Sequence, residues 1–564
     1  MDTERLTLES IYRLPQAQDL TTEAELKPIA LSKQENYYTV GESIDPNDWE
    51  KGVTADSVYA RTIRQYEANP EKGIILFHDA GGNRQATVDA LPNIIHYFKN
   101  KGIQFTTVAH LLGKSKDDVM PVVHNNLVQL DGSIATFGYW LEHFFTAAFW
   151  VAVILGMIRI AIMAFMAFMQ KVRSNINQQV YQLPLPKNPP AVSIIVPAYN
   201  EEINAVKTIR NLLQQDYPDF NIIFIDDGSK DKTYNRVLDA FYENDKVNIL
   251  TKPNGGKASA LNFGISQTNC EYVICIDADT QLKTDAVTQL MKRFIAAESV
   301  KGGIEGAVGA VAGNVKVGNE NTILTKWQSI EYTTAQNFDR RAFDLINCIT
   351  VVPGAIGAFK KEAIEKAGGF TTDTLAEDCD LTIRILRNGY HVVNCTEAVA
   401  ITEAPETLKQ FMKQRFRWSY GIMQSFWKNK DACFNPKYKS LGMVALPNIL
   451  FFQIILPMLA PLADIMLILS LIFNRHNPES LHKIELYYII FFAVDIFVSV
   501  IAFIFEKEKF SKLIWLIPQR FVYRQLMYVI LFKAISKAIK GESQGWGILK
   551  RTGNVKQVVS SMSS

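Results

Sequence analysis

The stretch EYVICIDADT, residues 271–280, is an apolar run that ends on two carboxylates, Asp277 and Asp279, with one small residue between them. Two like charges this close repel each other unless a cation lies between them and a further anion. Mg²⁺ or Mn²⁺ takes oxygen ligands and can share one or two carboxylates with a phosphate group. The pair therefore predicts a metal ion bound together with a phosphorylated ligand. Taken alone, such a DxD pattern is also typical of a solvated turn or a helix cap.

Other charged residues in the same region fit the same ligand. Asp226 and Asp227 add carboxylates, and Lys257 in the stretch NGGKASALN adds a cation. Gly255 and Gly256 let the backbone approach a phosphate, and the helix N-terminus that follows favours anions. Together these residues predict a site for a metal-bound nucleotide diphosphate.

Another carboxylate pair, Glu377 and Asp378, begins the amphipathic stretch EDCDLTIRILRNGY. One interpretation is that these acids cap a helix and compensate its dipole in the first turn. The other is that Asp378 is a general base, which takes a proton from an attacking hydroxyl group.

The stretch KQRFRWSYG, residues 413–421, places Gln414, Arg417 and Trp418 on one helical face by i, i+3 and i+4 spacing. A basic interfacial helix with an aromatic anchor beside a membrane would have this composition. Alternatively, Trp418 stacks on a sugar while Arg417 neutralises a leaving diphosphate.

The elements that must position these residues alternate between strand and helix. Helices are predicted at about 202–214, at 232–243 and from Ala258, between apolar runs that read as strands. Those runs are VSIIVP (192–197), NIIFID (221–226), VNILTK (247–252) and YVICID (272–277). This alternation predicts a parallel sheet covered on both faces, and ligands of such sheets bind beyond the carboxyl ends of the strands. The polar clusters follow those ends, so we expect them to converge on one crevice.

Composition limits the classes of function. The 564 residues are too many for one core, and the net charge of +2 with dispersed Lys and Arg gives no reason to expect nucleic acid as a partner. All six cysteines follow residue 260 and none lies in a CxxC or CxxH pair, which predicts reduced thiols and a cytosolic location for residues 190–435. The polar opening MDTERLTLES shows no signal-peptide pattern.

Several apolar segments are long enough to cross a bilayer. They are residues 144–169, 443–473 and 486–505. Residues 513–535 are also apolar but carry Arg520 and Arg524, so this segment is expected to be re-entrant or to lie in the interface. We expect Pro457 and Pro461 to break the second segment. Arg159 in the first segment either faces the bundle or contacts a polar ligand that is translocated.

Positive charge predicts the topology. Lys171 and Arg173 follow the first span, which places the N-terminal region outside and the central region inside. The basic C-terminal tail also favours the inside. Three plain spans after the central region would place that tail outside, so one of those segments is expected not to cross.

At this point the chain resembles the processive family 2 glycosyltransferases of the GT-A fold, which include cellulose, chitin, hyaluronan and poly-N-acetylglucosamine synthases. The motifs YNE, DDGS, GGKASALN, DAD, ED and QRFRW occur in that family's order over residues 190–425. The implied fold class is α/β, a Rossmann-like GT-A domain between transmembrane helices.

The resemblance implies roles for individual residues. The predicted nucleotide-binding residues are Tyr199, Asn200, Glu201, Asp227, Lys257 and Asp277. The DxD is formed by Asp277 and Asp279, of which Asp279 is the predicted metal ligand for Mg²⁺ or Mn²⁺. Asp378 is the implied general base, Arg417 is catalytic, and Gln414 and Trp418 bind acceptor or product as part of a QxxRW signature. Ala376 departs from the family, since many relatives have Thr there.

The implied reaction is a single inverting displacement, in which Asp378 deprotonates the acceptor hydroxyl and UDP departs from C1 of the donor sugar. The expected partners are a UDP-sugar, the growing polysaccharide and the lipid bilayer. An accessory export or deacetylase subunit is a further expected partner. The segment VVPGAIGAF (351–359) resembles the acceptor end of the family's site, although its glycines could equally serve a tight turn.

The N-terminal region resembles the rear half of a polysaccharide deacetylase, a partial α/β barrel-like fragment. His78 and Asp79 match a late His motif, DPNDW (45–49) a tryptophan motif, and Arg13 an arginine motif. The family's metal-binding Asp-Asp and His-x-x-x-His motifs are absent, so this fragment is predicted to be inactive. Residues 72–112 are predicted to form strand, loop, helix and strand. A deacetylase joined to a synthase favours UDP-N-acetylglucosamine as donor, by association only.

These observations predict a multi-pass plasma-membrane synthase with a cytoplasmic catalytic domain and an extracytoplasmic N-terminal region. The expected organisation is a deacetylase-like region (1–120), a transmembrane helix (138–170), a glycosyltransferase domain (190–425), C-terminal membrane or interfacial helices (443–540) and a basic tail (541–564). Two alternatives stay open: transfer of a single sugar to a lipid carrier, and a catalytically inactive polysaccharide conduit.

Overall fold

The structure is a computed structural model of the chain. It describes residues 40, 43–71, 73–79, 84–119, 126–182, 184–299, 307–473 and 478–540. The predictions for Arg13 and for the basic tail (541–564) therefore lie outside the described residues. The chain divides into two compact units, residues 1–143 and 144–564, and each is described by itself.

The first unit contains helices joined by irregular segments. The helix bounds are Ala55–Ala68, Gln85–Asn100, Val108–Leu111 and Lys116–Val119, and a longer helix, Asn126–Gln182, continues into the second unit. Thr54 and Ser57 form a capping box at the start of the first helix. Val58, Ala90, Ile94 and Phe98 pack in the core between the first two helices.

The prediction for residues 72–112 is correct for the helix and wrong for the strands. In the described part of this unit, β-pairing is limited to an isolated parallel bridge between Ile44 and Ile75. A single bridge has no neighbouring strands to extend its hydrogen bonds, and short unsupported strands have little stability of their own. The apolar residues here are therefore packed against helices rather than set in a sheet.

The second unit is built on an eight-stranded sheet with the order β3-β2-β1-β4-β7-β6-β8-β5. The strands are β1 (Val192–Ala198), β2 (Phe220–Asp226), β3 (Val247–Thr251), β4 (Tyr272–Cys275), β5 (Gln281–Leu282), β6 (Val308–Val317), β7 (Gly357–Lys360) and β8 (His391–Thr402). The first four strands are parallel, as the sequence predicts, and β1 is buried along its whole length.

The other half of the sheet corrects the prediction of a purely parallel arrangement. Strand β7 runs antiparallel to both β4 and β6, and β5 runs antiparallel to β8, while β6 and β8 are parallel. The α/β class is confirmed, but the sheet is mixed. The pairing of β7 depends on residues far apart in the chain, which periodicity in a single sequence does not report.

Helices cover the sheet at nearly the predicted positions. Their bounds are Ala205–Leu212, Thr233–Phe241, Lys257–Ser266, Ala286–Ser299, Ile323–Glu331, Phe338–Asp344, Lys361–Lys366, Glu377–Arg387 and Leu408–Lys428, with a π-helical turn at Tyr332–Asn337. Gly264 lets one of them lie directly on the sheet, because a Cβ there would come within 2.6 Å of Ile225 and 2.7 Å of Ile195.

The apolar C-terminal segments are helical. Their bounds are Leu441–Ala445 and Ile449–Ile455, which are π-helical, and Leu446–Asn448, Leu456–Phe473, Pro478–Glu506 and Leu516–Ile539. The prediction that Pro457 and Pro461 break the apolar segment 443–473 is wrong. Both prolines lie within one uninterrupted helical run: Pro457 follows the π-helical turns Ile449–Ile455, where the hydrogen-bonding pattern changes, and Pro461 lies inside Leu456–Phe473.

Among the described residues, two helical stretches are long and apolar enough to cross a membrane, Val153–Ser174 and Leu441–Leu462. Two such stretches are weak evidence, so the multi-pass topology stays a prediction. Arg159 in the first stretch donates to Asp339 at 2.7 Å and to Asn448 at 2.9 Å. These contacts favour the interpretation that Arg159 faces neighbouring helices.

Candidate active site

The candidate site is centred on Lys257, the first residue of the helix Lys257–Ser266. Its Nζ atom lies 2.6 Å from Asp277 Oδ1 and 3.3 Å from Glu377 Oε1. A Cβ added to Gly354 would lie 2.4 Å from the same Nζ atom, so this glycine leaves room for the ammonium group. The Gly354 N–H also points to Asp378 Oδ2 at 3.4 Å. One cation thus lies among residues from four separate parts of the chain.

The charges in this cluster depend on one another. Burial disfavours the charged form of Lys257, but the carboxylates of Asp277, Glu377 and Asp378 outweigh that cost and raise the pKa of the ammonium group. Glu377 shows the opposite balance, since burial raises the pKa of its carboxyl group despite the nearby charges of Lys257 and Arg417. Lys257 therefore stays protonated and positively charged at the site, while burial disfavours the ionised form of Glu377.

The two residues of the DxD differ in their environment. Asp277 is half-buried and forms the ion pair with Lys257. Asp279 is 5 % exposed, and Thr280 donates to its Oδ1 atom at 3.3 Å. Among the described residues, no group of three or more His, Cys, Asp or Glu side chains could hold a metal ion. Two carboxylates still fit Mg²⁺, because this ion is commonly bound by one or two carboxylates together with substrate phosphates and water.

Asp227 organises the glycine loop before Lys257. Its Oδ1 atom accepts from Lys252 Nζ at 2.8 Å and from the Gly255 N–H at 3.0 Å, and its Oδ2 atom accepts from the Gly256 N–H at 2.7 Å. The two glycine N–H groups that the sequence assigns to a phosphate are thus bonded to a carboxylate of the protein. Asp227 is itself the anion at this helix N-terminus. Its direct contact with a nucleotide stays a prediction.

The loops after β1 and β2 are tied together. The Asn200 N–H donates to Ser229 Oγ at 2.9 Å, and the Lys230 N–H donates to Asn200 Oδ1 at 2.8 Å. Asn200 has a φ of 57°, which asparagine tolerates better than most residues. The Glu201 N–H donates to Thr233 Oγ1 at 2.8 Å, and Tyr199 is half-buried beside this loop. The loops after β1 and β2, two of the three strand ends that are predicted to share a crevice, therefore contact each other.

Asp378 lies in the first turn of the helix Glu377–Arg387, where its Oδ1 atom accepts from the Cys379 N–H at 2.8 Å. The Ala376 that begins this helix makes no side-chain cap. The acids thus compensate the helix terminus and also border the Lys257 cluster. Both interpretations of this pair are compatible with the geometry.

The helix Leu408–Lys428 is called the signature helix below, and it carries Gln414, Arg417 and Trp418. The Gln414 side chain is buried and its Oε1 atom accepts from Arg415 at 3.1 Å. The Trp418 ring centroid lies 6.1 Å from that of Tyr332, and the Arg415 guanidinium lies 4.1 Å from the Trp418 ring. Arg417 is half-buried, and its charge favours the ionised form of Glu377, although burial outweighs this and keeps the pKa of Glu377 raised.

Arg415 is a residue that the sequence analysis missed. It is 1 % exposed, forms an ion pair with Glu331 and lies 3.3 Å from the hydroxyl of Tyr523, which also contacts Glu331. This group, here called the buried triad, joins the signature helix to the helices Ile323–Glu331 and Leu516–Ile539. A second basic residue within QRFRW is the only sequence signal for it.

Glu377 and Gly421 were also missed as parts of the site. The sequence motif singles out Asp378 as the general base, yet its neighbour Glu377 is the acid that pairs with Lys257. A Cβ on Gly421 would lie 2.6 Å from the backbone nitrogen of Ala376, so the signature helix touches the loop that carries the acids. Gln424 secures the same contact, since its Oε1 atom accepts from the Leu375 N–H at 2.9 Å. The unused glycine in WSYG was the available signal for this close approach.

Comparison with known proteins identifies the domain that contains most of this site. Residues 193–367 match the model of glycosyl transferase family 2. Residues 193–367 are thus similar to family 2 glycosyltransferases, which supports the predicted class of enzyme.

More particular similarities are to poly-beta-1,6-N-acetyl-D-glucosamine synthases. The protein from Staphylococcus epidermidis is 33% identical over 240 residues, which is 42% of this chain and 56% of the relative. The protein from Staphylococcus aureus strain COL is 33% identical over 230 residues, 41% of this chain and 54% of the relative. The matched part of the chain thus spans little more than half the length of these relatives.

Solved structures give weaker matches. A mannosyltransferase from Pyrobaculum calidifontis, in complex with GDP-Man and Mn²⁺, is 18% identical with a TM-score of 0.45, covering 69% of this chain and 99% of that one. TarS from S. aureus, in complex with UDP-GlcNAc, is 16% identical with a TM-score of 0.29, covering 41% of this chain and 66% of that one.

Proposed function

We propose that this chain polymerises N-acetylglucosamine from UDP-N-acetylglucosamine into a β-linked polysaccharide at a membrane, with Mg²⁺ or Mn²⁺ as cofactor. The observation that carries the proposal is the Lys257 cluster. It brings the end of the parallel strands, with Asp277, next to the acids Glu377 and Asp378. A donor diphosphate and an acceptor hydroxyl must meet at such a junction.

The donor sugar is inferred from the relatives. The staphylococcal proteins that share 33% identity are poly-beta-1,6-N-acetyl-D-glucosamine synthases. This similarity, together with the family 2 match over residues 193–367, supports the same donor and a related product here. The resemblance in sequence between residues 1–120 and polysaccharide deacetylases, if it reflects a shared substrate, favours an N-acetylated sugar by association only.

The proposed reaction is a single displacement at C1 of the donor sugar. Asp378 accepts the proton of the acceptor hydroxyl as its oxygen forms a bond to C1, and the bond between C1 and the UDP oxygen breaks. Lys257 and Arg417 hold positive charge near the departing diphosphate. Asp279, with Asp277, would hold the metal ion, which supplies further positive charge to the diphosphate.

The remaining predicted residues act in binding. Tyr199, Asn200 and Glu201 border the nucleotide through the linked loops after β1 and β2. Trp418 offers its ring to an acceptor sugar, and Gln414 supports the signature helix from its buried side. We further propose that the chain is a multi-pass plasma-membrane protein with this domain in the cytoplasm.

The N-terminal unit retains one feature of the proposed deacetylase fragment. His78 Nδ1 lies 2.7 Å from Asp48 Oδ1, and Thr87 Oγ1 donates to Asp48 Oδ2 at 2.8 Å. Burial favours the neutral form of Asp48, but hydrogen bonds from His78 and Thr87 outweigh it and lower the pKa. These contacts join two of the predicted motifs and so support the proposed resemblance in sequence, whereas the strands expected of a barrel fragment are absent from the described part of this unit.

The test is to incubate membranes containing the full chain with radiolabelled UDP-N-acetylglucosamine, UDP-glucose or UDP-glucuronate, with Mg²⁺, with Mn²⁺ or with chelator. We expect long polymer from UDP-N-acetylglucosamine only, and none with chelator. Addition of a single sugar to a lipid would favour the lipid-carrier alternative. Absence of transfer from every donor would favour the inactive conduit and contradict the proposal.

A further inference from the structure

A second cavity, away from the Lys257 cluster, lies where the candidate membrane stretches meet the sheet. Its volume is about 630 Å³, which is within the range of small-molecule sites. Ser174, the last residue of Val153–Ser174, lines it, and so does Leu441, the first residue of Leu441–Leu462. The two stretches therefore end at the same level, at this cavity. If they cross a bilayer, that level is the lipid headgroup region.

The lining of this cavity is strongly basic. The cations are Arg173, Arg293, Arg387, Lys437 and Lys439. Two of them already serve structural ion pairs, Arg293 with Glu397 at 2.5 Å and Arg387 with Asp431 at 2.6 Å. Arg173, Lys437 and Lys439 are exposed and are available to an anion that enters from outside.

Within the described lining, Asp344 is the single carboxylate, and it offers little compensation. Its Oδ1 atom accepts from the Asn394 N–H and its Oδ2 atom from Gln170, both at 2.8 Å. Burial raises the pKa of Asp344, despite these hydrogen bonds and the charges of Arg293 and Arg173. The Asp344 carboxylate thus accepts hydrogen bonds from the protein and does not neutralise the cations that line the cavity. The cavity therefore keeps a positive potential.

Lys439 adds an independent observation. Its backbone has φ 47° and ψ −130°, a conformation that is strained for a residue with a Cβ. Glycine would adopt it without strain, yet the chain places a lysine there, at the rim of the basic cavity. A cost of this kind is common where a side chain must reach a ligand.

We propose that this cavity binds a phosphate-bearing anion, held by Arg173, Lys437 and Lys439 at the level of the lipid headgroups. Basic pockets between membrane helices on the cytoplasmic side recognise anionic headgroups through the same chemistry. A soluble phosphate compound could supply the same group, and the experiment separates the two sources. The site is distinct from the nucleotide site and does not depend on the proposed donor.

The test uses the full chain, purified in neutral detergent and stripped of lipid. The melting temperature is measured during titration with phosphatidylglycerol, with phosphatidylcholine, or with inorganic phosphate against sodium chloride of equal ionic strength. A rise with phosphatidylglycerol but not with phosphatidylcholine identifies a lipid headgroup as the source. A rise with inorganic phosphate alone identifies a soluble ligand. No rise with any of these compounds overturns the proposal.

The variant Arg173→Gln/Lys437→Gln/Lys439→Gln should weaken the apparent affinity by about tenfold or more. Its control removes equal charge from exposed positions outside the cavity, Arg210→Gln/Lys246→Gln/Lys283→Gln, and should keep the wild-type response. Equal responses of the two variants would refute the site.

A single substitution keeps the test decisive if the triple variant does not fold. Lys439→Gly removes one cation and relieves the backbone strain, so it should fold normally. It should weaken binding by about fivefold. An unchanged titration curve for this variant would count against the proposal.

Discussion

The two halves of the sheet are held together in different ways. The parallel strands β3-β2-β1-β4 with their loops, here called the nucleotide half, use contacts between residues close in the chain. Asp227 bonds Lys252, 25 residues away, and Gly256, 29 residues away. The mixed strands β7-β6-β8-β5 with the signature helix, here called the acceptor half, use distant partners. Arg415 contacts Glu331 across 84 residues, and Tyr523 contacts Glu331 across 192.

This difference indicates how each half depends on the rest of the chain. Apart from the contact between Lys257 and Glu377, where the halves meet, the loop contacts described for the nucleotide half join residues 25 to 32 positions apart in the chain. The acceptor half has its signature helix joined through the buried triad to Leu516–Ile539, a helix of the apolar C-terminal region. We therefore expect changes in the acceptor half to affect sugar transfer and stability, and changes in the nucleotide half to affect donor binding locally.

The largest expected effect is that of Asp378→Asn on polymer synthesis. Loss of a general base commonly slows a reaction by about 10²–10⁴-fold. Because Asp378 belongs to the acceptor half, UDP should still bind with nearly wild-type affinity. The measurements are the initial rate with radiolabelled donor and the dissociation constant of UDP by calorimetry.

The matched control for this substitution is Asp373→Asn. Asp373 is exposed and its side chain pairs only at the surface with Lys428, so its loss should leave the rate near that of the wild type. If Asp378→Asn loses UDP affinity in parallel with rate, the separation between donor binding and proton transfer is wrong. Undiminished synthesis would remove the base assignment altogether.

The next effect in size is that of Arg415→Met on stability. Removal of one partner from a buried ion pair leaves the other charge uncompensated, at a cost of about 3–5 kcal/mol. The melting temperature should fall by several degrees, and the variant Arg415→Met/Glu331→Gln should recover part of the loss. Lys366→Met is the control, since its pair with Glu362 is exposed and should contribute little to stability. An unchanged melting temperature for Arg415→Met would mean that the buried triad does not hold the acceptor half.

The same contrast explains what the sequence could and could not predict. The parallel strands and their helices follow from local periodicity, and the polar residues at the strand ends are found near one another, as expected. Arg415, Glu331 and Tyr523 carry no such signal, because the partners of a buried ion pair are set by tertiary packing. The antiparallel β7 and the contact between Gly421 and Ala376 were missed for the same reason.

A smaller effect is expected for Lys252→Met in the nucleotide half. Asp227 would lose its ion pair but keep two backbone N–H donors from the glycine loop. We expect the KM for the donor to rise by a few-fold with little change in kcat, because hydrogen bonds to a charged group contribute about 1.5–3 kcal/mol and two remain. Steady-state kinetics with varied donor measure both constants. A loss of stability as large as that of Arg415→Met would contradict the contrast between the halves.

The smallest effect lies where the halves meet, in the pH dependence of stability at Glu377. Burial raises the pKa of Glu377 in the folded protein, so the folded state binds more protons than the unfolded state above about pH 4.5. Stability contributed at this position therefore falls as pH rises from the unfolded pKa through the folded one. The Gln side chain of Glu377→Gln cannot ionise. The melting temperature of this variant minus that of the wild type should therefore increase as pH rises through that window.

Glu397 provides a control of opposite sign. Burial opposes its ionisation, but Arg293 outweighs this and lowers the pKa of Glu397. The stabilising contribution of Glu397 is present above the unfolded pKa and is lost as pH falls. The melting temperature of Glu397→Gln minus that of the wild type should therefore decrease as pH rises. Melting temperatures of both variants are measured between pH 4 and 8. Their differences from the wild type should change in opposite directions with pH if the two environments are as described. Parallel curves would mean that the acids at the junction are hydrated like surface groups, which would weaken the view that donor and acceptor meet in a buried, charge-coupled site.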